Sequence, residues 1–85
     1  MRLIFSSRSW NDYLFWSETD EKTFKKLNAL IRECMRTPFQ GSGKPEPLKH
    51  ELAGCWSRRI DLEHRLIYRV GEDSIEIVAS RFHYQ

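Results

Sequence analysis

No apolar run in this 85-residue sequence is longer than Tyr13-Leu14-Phe15-Trp16. A membrane-spanning helix needs about 20 such residues, so none is encoded. Met1-Arg2 precedes only three apolar residues, Leu3-Ile4-Phe5, where the core of a secretory signal needs about 7–15. A cytoplasmic chain is expected. Cysteine is scarce, with Cys34 and Cys55 alone and no Cys-x-x-Cys pair, which excludes a disulfide framework. Cys34 falls on a helical apolar stripe and reads as a small buried hydrophobe. Structural zinc needs four clustered ligands, and His50, His64 and His83 are scattered, so no metal or other cofactor is expected. Charge of one sign is also lacking. Fourteen basic against twelve acidic residues leave +2, which excludes a polybasic tail. Strong net charge with few aromatics would mark a disordered chain; here aromatics reach 13%, and residues 1–85 are read as one folded domain.

What is present divides into two periodicities. Leu3-Ile4-Phe5 is a short strand candidate closed by Ser6 and Ser7, either of which suits a helix cap. Trp10, Tyr13 and Leu14 then recur at helical spacing. Thr19-Asp20 breaks that helix and offers a second cap, with Glu21 favourably placed in the next first turn. Phe24, Leu27, Leu30, Ile31, Cys34 and Met35 form the apolar stripe of a second helix, which Pro38 terminates. All three prolines lie in residues 37–47, read as a loop with a stiff second half. Beyond it the pattern alternates: Trp56, Arg58 and Ile60 against Ser57, Arg59 and Asp61; Leu66, Tyr68 and Val70 against Ile67 and Arg69; Ile75, Ile77 and Ala79 against Glu76, Val78 and Ser80. Gly71-Glu72-Asp73-Ser74 reads as a tight turn between the last two. Helices first and strands after predict an α+β fold, two N-terminal helices packed on one face of a small, mainly antiparallel sheet.

The charges are placed less blandly than their sum. Residues 1–43 carry seven basic and five acidic side chains, and residues 44–85 carry seven of each. Five of the second seven are arginines at or near strand positions: Arg58, Arg59, Arg65, Arg69 and Arg81. Adjacent Arg58 and Arg59 must point to opposite faces. A sheet face that gathers arginines fits an anionic partner, because the guanidinium fork matches phosphate bidentately; a solvated face of weak surface pairs has the same composition. The end of the chain, Ser80-Arg81-Phe82-His83-Tyr84-Gln85, read as part of the last strand, adds a proton-transfer group, stacking rings and a cation. Those are parts for single-stranded RNA. Pro45-Glu46-Pro47 holds a carboxylate between two residues of fixed φ, with Lys49 close behind. Glutamate, histidine and arginine together supply a base for the 2′-hydroxyl, an acid for the leaving 5′-oxygen and cations for the crowded phosphorane. Gly41-Ser42-Gly43-Lys44 is no nucleotide-phosphate loop: Pro38 and Pro45 stand where that pattern needs glycine and a hydroxyl residue.

Ser9-Trp10-Asn11-Asp12-Tyr13, Thr37-Pro38-Phe39, Gly43-Lys44-Pro45-Glu46-Pro47-Leu48-Lys49-His50, Trp56-Ser57-Arg58-Arg59-Ile60, Glu63-His64-Arg65-Leu66-Ile67-Tyr68 and Arg81-Phe82-His83-Tyr84 together resemble the Txe/YoeB toxins of bacterial type II toxin–antitoxin systems, within the RelE/ParE superfamily. The resemblance runs through essentially the whole chain. It implies a RelE-like microbial RNase fold and a ribosome-dependent mRNA interferase that cuts the codon in the A site. By position it makes Glu46 the general base, His83 the general acid and Arg65 the stabiliser of the phosphorane. Lys49 and Arg59 would hold the phosphate, and Tyr84 would position or stack on the nucleotide. It further implies the ribosome and mRNA as partners, a homodimer, and a YefM-like antitoxin whose flexible tail covers the toxin. Gln85 departs from the pattern, since the relative with the same His-Tyr pair ends at tyrosine. A toxin on the same scaffold that poisons DNA gyrase is the competing expectation; it has no use for Glu46, Arg65, His83 and Tyr84 together.

Overall fold

The computed structural model describes residues 1–82. In chain order it runs β1 (Arg2–Phe5), α1 (Ser7–Thr19), α2 (Glu21–Arg36), β2 (Glu46–Pro47), a short 3-10 turn (His50–Leu52), β3 (Cys55–Arg59), β4 (Arg65–Val70) and β5 (Ser74–Ala79). The strands form one mixed sheet in the order β1-β5-β4-β3-β2. Three neighbouring pairs are antiparallel, and β1 runs parallel to β5, Leu3 beside Ile75 and Phe5 beside Ile77. The two helices cover one face, as the segregation of elements predicts.

Both helices begin where the sequence offers caps. The Ser6 side chain accepts from Ser9 N–H at 3.1 Å, and Ser9 Oγ accepts in return from Ser6 N–H at 2.8 Å. Asp20 accepts from Thr23 N–H at 3.1 Å. Each such cap satisfies a backbone donor that the first turn of a helix leaves without a partner. Helix α2 ends at Arg36, with Thr37 as its C-cap before Pro38. Its stripe is the main core: Leu27, Leu30, Ile31 and Cys34 pack with Trp16, Ile60, Leu66, Tyr68, Ile75 and Ile77. Burial pushes the Cys34 thiol up to about 11, so it stays protonated and behaves as the hydrophobe expected. On the other face a smaller cluster joins Leu48, Cys55, Ile67 and Ala79, with Leu52 and Val78 against it.

Three details differ from the pattern reading. Glu46 and Pro47 lie in a strand rather than a loop; the strand is two residues long and sits at the sheet edge, where proline is tolerated. A register shift at Ile67/Tyr68 puts Ala79 opposite Ile67, so Ala79 joins the helix-free face instead of sharing the face of Ile75 and Ile77. Strand β5 ends at Ala79, and Arg81 and Phe82 form a bend outside the sheet ladder.

Arg58 is the larger correction. It lies on the helix side of β3, fully buried, and belongs to no anion-binding face. Its Nε–H donates to Tyr68 Oη at 3.1 Å, Nη1 to Ser42 O at 3.3 Å, and Nη2 to Gln40 O at 2.9 Å and to Thr37 O. Glu33 lies 3.6 Å from Nη1, and Tyr68 O–H donates to Pro38 O at 2.7 Å. One guanidinium therefore satisfies three carbonyls of the 37–42 loop, those of Thr37, Gln40 and Ser42, and the loop has no ladder of its own. Glu33 completes the clamp by accepting from Ser42 N–H at 2.9 Å. That bond first, and Arg58 and Arg36 after it, hold the Glu33 carboxyl below its ordinary value. A depressed carboxylate contributes stability above its unfolded value, about 4.3 for glutamate, and loses it as pH falls through the folded value. Glu33→Gln should therefore flatten the decline of Tm with acidification below about pH 4.5. Parallel curves for the two proteins would contradict that role.

Candidate active site

The helix-free face is built in rows. Paired residues on neighbouring strands share a face, and so do residues two apart along one strand. Glu46 pairs with Ser57, Ser57 with Ile67, and Ile67 with Ala79, giving a row headed by a carboxylate at the edge. The next row is Arg59 directly opposite Arg65. Row to row along a strand is about 6.5–7 Å, so Glu46 is a diagonal neighbour of Arg59. On the other side of the Glu46 row, Cys55 pairs with Arg69, and Arg69 with Glu76. There the guanidinium is occupied: Arg69 Nη1 meets Glu76 at 3.0 Å and Nη2 meets Cys55 Sγ at 3.4 Å.

The Arg59–Arg65 pairing depends on the hairpin between them. Asp61 Oδ1 accepts from Glu63 N–H at 2.8 Å and from His64 N–H at 2.6 Å, and Ile60 N–H donates to His64 O at 3.0 Å. Burial pushes the Asp61 carboxyl up, but the two backbone donors together with nearby positive charge leave it below its ordinary value. The result brings two like charges face to face, an arrangement that costs stability in a sheet. Arg65 Nη1 donates to Asp61 O at 2.9 Å and to His64 O at 3.1 Å, which fixes its fork without neutralising it. Among the described residues, neither Arg59 nor Arg65 has a carboxylate within 4.0 Å.

The edge carrying Glu46 is held against β3 by Gly43, whose carbonyl accepts from Arg59 N–H at 2.6 Å. Gly43 has φ +81, and a Cβ there would stand 3.0 Å from Arg59 O and 3.2 Å from Arg59 N. Only glycine permits that approach. Lys49 is exposed at the entry to the 3-10 turn, next to Leu48, whose N–H donates to Cys55 O at 2.9 Å.

Of the six residues expected to form the site, Glu46, Arg59 and Arg65 thus share one face, and Lys49 follows the strand that carries Glu46. His83 and Tyr84 lie outside the described residues. The sequence reading did not single out Asp61, which sets the hairpin register. Nor does the sequence assign a role to Asp12, Trp16 or His64, which hold the segment before His83. Their partners are far away along the chain, so no local pattern marks them.

A family model for the YoeB-like toxin of bacterial type II toxin–antitoxin systems matches residues 5–84. The chain belongs to this family. It is 61% identical to Toxin YoeB of Escherichia coli K12 over 84 residues, 99% of this chain and 100% of that one. Its fold superimposes on a YoeB/ParE toxin from Agrobacterium tumefaciens with a TM-score of 0.96 at 52% identity, over 99% of this chain and 100% of the other. Two Staphylococcus aureus structures, each 40% identical and covering 99% of this chain and 98% of theirs, match with TM-scores of 0.91 for a YoeB dimer and 0.90 for a heterotetrameric YoeB–YefM toxin–antitoxin complex. The RelE/YoeB-like fold, two helices against a five-stranded mixed sheet, agrees with the family.

Arg65 offers a direct check on the face. Lysine keeps the charge but loses the fork, so in the nuclease reading proposed below Arg65→Lys should lower mRNA cleavage by about tenfold or more, with Tm close to wild type. Undiminished cleavage would reduce Arg65 to diffuse charge.

Proposed function

We propose that this toxin is a ribosome-dependent endoribonuclease that cleaves mRNA in the ribosomal A site and so inhibits translation. Glu46 takes the proton from the 2′-hydroxyl, which attacks the adjacent phosphorus. Arg65 stabilises the charge that builds on the phosphorane, and Arg59 and Lys49 hold the phosphate. His83 protonates the leaving 5′-oxygen, and Tyr84 positions the nucleotide. These groups supply proton transfer and charge compensation by themselves, so the proposed reaction is metal-independent and needs no cofactor.

The observation that carries this reading is the row of Arg59 opposite Arg65 beside the row headed by Glu46. An anion between the two forks turns a repulsive pair into a bidentate clamp, with a carboxylate at hand to act as base. The partners proposed are the ribosome and mRNA, a second copy of the chain, and a YefM-like antitoxin; the dimer and the YoeB–YefM complex of the Staphylococcus relatives support the last two. Among the described residues no helix is long and apolar enough to cross a membrane, and the cytoplasm is the proposed location because the substrate is translated there.

Primer extension on mRNA from a translating extract tests the reading. Discrete breaks within A-site codons are expected on adding the protein. Intact mRNA accompanied by DNA breaks or lost supercoiling would assign the toxin to DNA gyrase instead.

A further inference from the structure

Ser80, Arg81 and Phe82 belong to no helix or strand, yet each is held by groups distant in sequence. Ser80 N–H donates to Asp12 Oδ2 at 3.0 Å, and Ser80 O accepts from Trp16 Nε1–H at 2.8 Å. The Arg81 guanidinium lies 3.6 Å from the ring centre of Phe15 and 4.8 Å from that of Phe82. Phe82 N–H donates to His64 Nδ1 at 2.6 Å, and Phe82 O accepts from Arg65 N–H at 3.2 Å. Phe82 also has φ +65, a left-handed conformation that a bulky aromatic residue seldom adopts. Such a conformation is strained and persists only where the surroundings impose it. Here both polar groups of the residue are pinned, one of them by the imidazole itself. That imidazole is mostly buried, packed edge-on to Trp16 at 4.7 Å and against the Phe82 ring at 5.3 Å.

We propose that His64 is a positioning residue: its Nδ1 holds Phe82, the residue that precedes His83 in the sequence, in the left-handed conformation. The inference rests on the proposed nuclease reading, in which His83 is the general acid. His64 touches no reacting atom. It must be neutral and protonated on Nε2, leaving the Nδ1 lone pair for the Phe82 N–H.

Two variants and one spectrum test this. His64→Leu fills the space without an acceptor, whereas His64→Asn returns an oxygen near the position of Nδ1. Misplacing a reacting group by about 1 Å can cost about 10²-fold. His64→Leu should therefore lower single-turnover mRNA cleavage on ribosomes by about 10–100-fold with ribosome affinity unchanged. His64→Asn should restore most of that loss. The ¹⁵N shifts of neutral His64 in the wild-type protein should report the Nε2–H tautomer. Wild-type cleavage by the leucine variant overturns the proposal, as does equal impairment of both variants in step with lost Tm, or an Nδ1–H tautomer. Wild-type protein that leaves mRNA intact in the same assay overturns the nuclease reading, and this proposal with it.

Discussion

Glu46→Gln is expected to slow single-turnover mRNA cleavage by about 10²–10⁴-fold, the contribution of one positioned acid–base group. Glutamine keeps the size and the hydrogen-bonding reach of the side chain but cannot take up the 2′-hydroxyl proton. Glu46 is exposed on a two-residue edge strand, so the substitution removes no core contact. Surface changes of this kind usually alter stability by less than about 0.5 kcal/mol. Ribosome affinity should also hold, because the phosphate contacts proposed for Arg59, Arg65 and Lys49 remain. His83→Ala should behave in the same way from the acid side of the reaction. Were both variants to cleave at the wild-type rate, the proton-transfer roles would have to be reassigned.

The second large effect concerns folding. Arg58→Met should destabilise the protein by about 3–5 kcal/mol, because each buried polar group left without its partner costs about 1–3 kcal/mol. Methionine fills much of the volume, so the loss is electrostatic and polar. It strands the carbonyls of Thr37, Gln40 and Ser42, while Glu33 keeps its bond from Ser42 N–H. Small domains are stable by only about 5–15 kcal/mol, so the denaturant midpoint should fall steeply. Denaturation curves that overlay the wild type would mean the loop is held by something else.

Arg58 also marks where the sequence stops being legible. Alternation in β3 tells that Arg58 and Arg59 face opposite ways. It does not tell that a loop 16–21 residues earlier in the chain folds onto one of them. Two adjacent arginines thus have unrelated jobs, one inside the fold and one on the candidate site. The helices were readable because their signals are local: serine and aspartate caps, a 3.6-residue stripe, a proline after the end. Strands β3, β4 and β5 were readable from alternation and the turn at residues 71–74. Strand β2 was not, since two residues carry no period. The parallel setting of β1 was not either, since strand direction follows from the path of the chain and leaves no mark in Leu3-Ile4-Phe5.

The site divides along the same line. Arg59 and Arg65 are recognisable as strand arginines, but that they stand directly opposite depends on register, which Asp61 sets through two backbone hydrogen bonds. Glu46 is conspicuous between two prolines, yet its relation to Arg59 follows from the pairing of β2 with β3 and from the close approach at Gly43. The specific roles came from the resemblance to Txe/YoeB toxins; geometry adds which of those residues share a face.

The account turns on the 2′-hydroxyl as nucleophile, and one substitution in the substrate isolates it. A ribosome programmed with mRNA carrying a single 2′-deoxynucleotide immediately 5′ to the scissile phosphate should be bound normally by the toxin and left uncut. The all-ribose message should be cleaved to a product ending in a 2′,3′-cyclic phosphate. Cleavage of the deoxy-substituted message at an undiminished rate would contradict the mechanism proposed for Glu46, Arg65 and His83.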